Sequence, residues 1–107
     1  MGFSPIGVGD ASPTHWTFTT DSGVFALTGI SASAIAMHYI EQPPSGSPAR
    51  VGTGTWTITN AGSGLADYYP SSADVATPGT YKIYPVITLS TGPKPFDPQI
   101  LEILNLA

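Results

Sequence analysis

Residues 71–86 read SSADVATPGTYKIYPV. A polar patch from Ser71 to Ala76 runs into Pro78-Gly79, and an alternating run opens at Tyr81. Strand side chains point to opposite faces in turn, so Tyr81 and Ile83 share a face that continues through Ile87 and Leu89. Pro85 removes a backbone donor from this run, which places that point at an edge or a bulge. Asp74 suits the cap of a single helical turn, accepting backbone N–H groups. Pro78 fixes φ and Gly79 permits a positive φ, the chemistry of a type II-like turn. The stretch therefore reads as a corner that delivers the chain into a long strand, with Tyr81 pointing into the core.

The same grammar extends in both directions. HWTFTT (15–20) alternates with Trp16 and Phe18 on one face, and DSG (21–23) turns the chain. SASAIAMHYIEQ (31–42) holds good helix formers, but Ile35, Met37 and Tyr39 fall together at period two, so it reads as a strand. PPSGSPA (43–49) reads as the tip of a long hairpin. RVGTGTWTITN (50–60) reads as one strand, with Thr53, Thr55, Thr57 and Thr59 on one face and Trp56 and Ile58 on the other. LADYY (65–69) is a short strand, TGPKPFDP (91–98) a loop, and QILEILNL (99–106) a final strand. Neighbouring strand residues face opposite ways, so one of Tyr68 and Tyr69 goes inward and the other outward, as a candidate interface residue. About seven short strands separated by Gly and Pro turns in 107 residues predict an all-β fold, an immunoglobulin-like β-sandwich. With no cysteine it carries no disulfide. Residues 1–14 are predicted as an extended N-terminal arm and 15–107 as a single sandwich domain. Trp16 and Trp56 are predicted core aromatics.

Composition excludes several functions. Only 9% of residues are charged and the net charge is −4, against about 25% charged in ordinary domains. Arg50, Lys82 and Lys94 are the only basic side chains. Three cations cannot neutralise a row of phosphates, so nucleic acid and anionic membrane are not expected partners. The opening MGFSPIGVGD lacks the basic and long apolar regions of a signal peptide. No apolar run approaches the roughly 18 residues that span a bilayer. Few charges also leave little electrostatic resistance to self-association. This suits a domain packed among other subunits, and equally a Ser/Thr-rich soluble β domain.

No catalytic constellation emerges. No serine lies in a Gly-x-Ser-x-Gly elbow, and His15 and His38 read as strand residues without metal-ligand spacing. Asp67, Asp74 and Asp97 lie at turns or strand ends, where aspartate serves locally. GVGD (7–10) neither follows a strand nor opens a helix, so it is no phosphate loop. No cofactor and no metal are expected, and the chain is not read as an enzyme. Trp16, Trp56, Tyr68, Tyr69, Tyr81 and Tyr84 admit one further reading, a face that stacks carbohydrate.

LTG (27–29), the strand face Ile35, Met37 and Tyr39, and ADVATPGTY (73–81) occur in an order that resembles a phage family. That family is the small immunoglobulin-like domain at the N-terminus of phage baseplate upper proteins, also found as stand-alone small proteins of tailed phages. The likeness covers about residues 16–105, and HYIEQPPSG (38–46) departs from the family's basic-acidic strand end. The resemblance implies a virion structural protein, assembled in the host bacterial cytoplasm and docked on tail or baseplate neighbours. The partners it implies are other virion proteins and further copies of the chain. Capsid decoration is an alternative, and a module gripping host-surface glycans another. In this reading Asp74, Pro78, Gly79 and Tyr81 form a structural corner. The candidate contacts are Phe3, Ile6 and Val8 in the arm, Tyr68 and Tyr69, and Leu104 and Leu106 at the apolar end.

Overall fold

The structure is a computed structural model that describes residues 5–41 and 50–105. The chain forms β1 (Ile6–Gly7), β2 (Thr14–Thr17), β3 (Thr19–Thr20), β4 (Gly23–Val24), β5 (Ile35–Glu41) and β6 (Arg50–Val51). It continues through β7 (Thr55–Asn60), β8 (Leu65–Tyr69), β9 (Gly79–Leu89), β10 (Gly92–Pro95) and β11 (Gln99–Leu104). Two single 3-10 turns, Ala32–Ala34 and Ala61–Ser63, are the only helical pieces among the described residues. The fold is all-β, as the sequence predicts, but divided more finely than seven strands.

The larger sheet has the order β1-β11-β9-β5-β6, with β10 also paired to β9. The smaller sheet has the order β2-β8-β7, and β3 and β4 form a separate hairpin. β1 runs parallel to β11, and every other pair is antiparallel. Alternate positions of both sheets supply one buried cluster: Trp16, Trp56 and Tyr68 from the smaller, Met37, Tyr39, Tyr81, Ile83, Ile87 and Leu101 from the larger. Phe18, Leu27, Val75 and Phe96 close it from the connections. Phe18 meets Phe96 edge-on, with ring centroids 4.9 Å apart, a geometry that adds to area burial.

The eleven-residue β9 is the spine. One edge pairs with β5 from Ile35↔Ile87 to Glu41↔Tyr81. The other edge pairs first with β11 over Gly79–Ile83 and then with β10 over Val86–Leu89. Pro85 is buried at the junction between those two partners. Its carbonyl accepts the Phe96 N–H at 3.0 Å, and its nitrogen has no proton to return. The β9–β10 ladder ends there and the chain departs to begin β11. Pro85 thus lies inside the sheet, at the point where one edge changes partner.

Three sequence expectations need correction. TGPKPFDP is not all loop, because Gly92–Pro95 pairs with β9 across a two-residue connection, Ser90-Thr91. Pro93 and Pro95 fall at period two on an edge strand, where their nitrogens face away from the neighbour and no ladder bond is lost. HWTFTT breaks at Phe18, whose N–H donates to the Gly64 carbonyl at 2.8 Å and whose carbonyl accepts from Phe25. RVGTGTWTITN breaks at Gly52–Gly54. A β-carbon on Gly54 would lie 2.1 Å from the Tyr69 carbonyl and 2.8 Å from the Tyr68 hydroxyl, so only glycine lets the backbone pass so close.

From Ile6 onward the N-terminal segment is not a free arm. Ile6 pairs with Ile103 and Gly7 with Leu104. Val8 N–H donates to Leu104 and Gly9 N–H to Val75, and Thr14 already begins β2. The hairpin tip at 43–49 lies outside the described residues, as do Phe3 and Leu106.

Candidate functional site

The polar centre of the molecule is the corner at 71–81. Asp74 is the only buried charged residue among those described, 1% exposed. One carboxylate oxygen accepts the Thr53 N–H at 2.9 Å, and the Nη1 of Arg50 stands 3.8 Å from it. The other accepts the Tyr68 hydroxyl and the Ser71 N–H, the latter at 3.1 Å. Tyr68 Oη in turn accepts the Gly54 N–H at 2.9 Å. Arg50 also donates through Nη2 to the Asp74 carbonyl at 3.1 Å. Its guanidinium lies 4.3 Å from the Tyr39 ring centroid and 5.6 Å from that of Tyr81. A buried carboxylate persists only when paired and hydrogen-bonded, and this one is both.

These contacts revise the role expected of Asp74. Ser71 Oγ accepts the Asp74 N–H at 3.3 Å while Asp74 reaches back to the Ser71 N–H. That is a capping box on a single turn, with serine as the cap and the acid three residues on. Asp74 does not cap a following helical turn; it ties the corner to Thr53 and Arg50, across the gap between β6 and β7. Burial pushes its carboxyl up, but the hydrogen bonds from Tyr68, Thr53 and Ser71 outweigh burial and hold it below 3.8. Burial, together with the Asp74 carboxylate, raises the Tyr39 and Tyr68 phenols above their ordinary range.

Pro78-Gly79 does not form a type II turn. Gly79 has φ 148° and opens β9, whereas the second central residue of such a turn needs about +80°. The Thr77 carbonyl instead accepts the Tyr81 hydroxyl at 3.0 Å. The side chain four residues downstream performs the closure that a backbone bond would have performed.

The other candidates divide by exposure. Trp16 and Trp56 are each 7% exposed, in the core. Tyr68 is buried and so is no surface contact; Tyr69 is 43% exposed on the outer face of the smaller sheet. Ile6 packs against the core, and Val8 is 42% exposed. Leu104 is half-buried at the end of β11. His15 lies on the strand face with its Nδ1 2.8 Å from Asp67 Oδ1. His38 stacks on Tyr84 with centroids 5.3 Å apart. Among the described residues no group of three or more His, Cys, Asp or Glu could hold a metal, and no helix is long and apolar enough to cross a membrane.

Sequence reasoning missed Arg50 and Thr53. Their signal was present: an isolated arginine beside a G-T-G run, in a chain with three basic residues. Comparison with protein-family models, curated proteins and solved structures returns no match.

Proposed function

We propose that the chain is an immunoglobulin-like sandwich acting as a structural subunit of a tailed-phage particle, at the tail or baseplate. The carrying observation is the Tyr81 hydroxyl on the Thr77 carbonyl. It lies inside ADVATPGTY, the segment on which the resemblance rests, and it is the bond of a tyrosine corner. The sheet orders support the same reading. β2-β8-β7 follows the B-E-D order and β5-β9-β11 the C-F-G order of such sandwiches. Asp74, Arg50, Tyr68 and Thr53, the most densely bonded polar group among the described residues, hold the corner. That use favours a scaffold that presents surfaces to virion neighbours and to further copies of the chain.

Immunogold labelling of purified particles tests the proposal. Label on the tail or baseplate is the expected result. Label spread over the head would replace it with capsid decoration, and no label on particles would end the virion reading.

One observation favours a second reading. Tyr69 is exposed beside Thr55, its cross-strand partner, on a hydroxyl-rich face, and an aromatic flanked by hydroxyls suits a sugar ring. Binding on an array of bacterial surface glycans, abolished by Tyr69→Ala, would favour it. A silent array removes it.

A further inference from the structure

The outer face of the larger sheet departs from the usual rule that a one-sided sheet is polar outside. Register places Val51, His38 and Tyr84 in one row, and Ile40, Lys82 and Ile100 in the next. Ala36 and Val86 extend it. Val51 is 52% exposed and Ile100 40%. Among the described residues the only fixed charges on this face are Lys82 and Glu102, and neither has an ion-pair partner. They are diagonal neighbours, because Ile100 opposes Lys82 and Glu102 opposes Thr80, which puts them about 8 Å apart.

We infer that this face is an interface between two copies of the chain. A two-fold interface must be self-complementary: what residue i meets in j, j meets in i. One lysine and one glutamate, unpaired and of opposite sign, satisfy that condition. An axis passing between them sets Lys82 of each copy against Glu102 of the other. The same axis runs close to Ile100, which packs on its own counterpart. It carries Ile40 toward Leu104 of the second copy, apolar on apolar, at strand spacings of about 4.8 Å and two-residue rises of about 6.8 Å. The face carries no net fixed charge, so the chain's −4 lies outside the contact and weakens it only at a distance. This proposal does not depend on the virion reading.

Sedimentation equilibrium of the whole chain, over micromolar to millimolar concentration, tests it. A reversible monomer–dimer equilibrium is expected. Lys82→Glu and Glu102→Lys each create two like-charge contacts and should weaken association about tenfold. Mixing those two variants should restore it, because the mixed dimer holds two attractive pairs. No effect within a single chain reproduces that rescue. Circular dichroism checks that each variant remains folded. A chain that stays monomeric at millimolar concentration, or a mixture no tighter than its components, overturns the proposal. A monomer that still labels particles would leave the virion reading standing.

Discussion

At the residue scale, the corner makes unequal demands on its members. The Asp74 carboxylate receives from four donors on three residues while facing Arg50. Asp74→Asn leaves one acceptor oxygen for these buried donors, while Arg50 keeps its bond to the backbone carbonyl, so a loss of about 1–3 kcal/mol is expected in urea unfolding. Tyr81→Phe removes only the bond to Thr77 and should cost about 1 kcal/mol. A larger loss for Tyr81→Phe than for Asp74→Asn would reverse the assignment of Asp74 as the hub. Part of this was legible. The inward course of Tyr81 follows from period two, whereas the turn geometry read at Pro78-Gly79 and the cap read at Asp74 are not what the corner uses. The partners of Asp74 do not follow from local sequence either, because Thr53 and Arg50 are more than twenty positions away and only the fold brings them near. Sequence offered Asp74 a local task, and the structure gives it a distant one.

At the element scale, alternation of apolar residues marks most strands but not where a connection interrupts the run, as at Phe18 and Gly52–Gly54, nor where prolines hide a strand, as in β10. β5, β7, β8 and β11 lie within the runs that alternation predicts. β10 was missed because two prolines in four residues look like loop, and what rescues them is which way their nitrogens face. This reasoning separates neighbouring positions. Lys94 opposes Ile87 and lies between two outward-facing prolines, so its own N–H faces β9. Lys94→Pro should therefore cost about 2–3 kcal/mol and expose the β9–β10 amides to hydrogen exchange. Pro95→Ala should stay within about 1 kcal/mol of the parent. Equal effects at the two positions would place the strand in the wrong register. Pro85 shows the same principle inside the sheet, since a missing donor is harmless where a ladder has to stop.

At the scale of the whole molecule, ionisation bounds the range in which the fold holds. The Asp74 carboxyl lies below 3.8 in the fold, so the unfolded chain binds its proton first as pH falls. The stability it contributes is present above about pH 4 and lost as pH drops through the folded value. Tyr39 and Tyr68 are raised, so the unfolded chain ionises first, and stability also declines above about pH 10. Urea midpoints across pH should show a plateau with both limbs, and Asp74→Asn should flatten the acid one. An unchanged acid limb in that variant would assign it to another group. The parallel pairing of β1 with β11 acts on this same scale. One strand leads into the fold and the other leads out of it, side by side and pointing the same way. Tension between the two chain ends therefore drags them past each other, and the bonds between them must give together instead of peeling singly. Resistance to pulling is set by the barrier to unfolding, so tension on the two ends of the described chain meets the Ile6↔Ile103 and Gly7↔Leu104 pairs in shear.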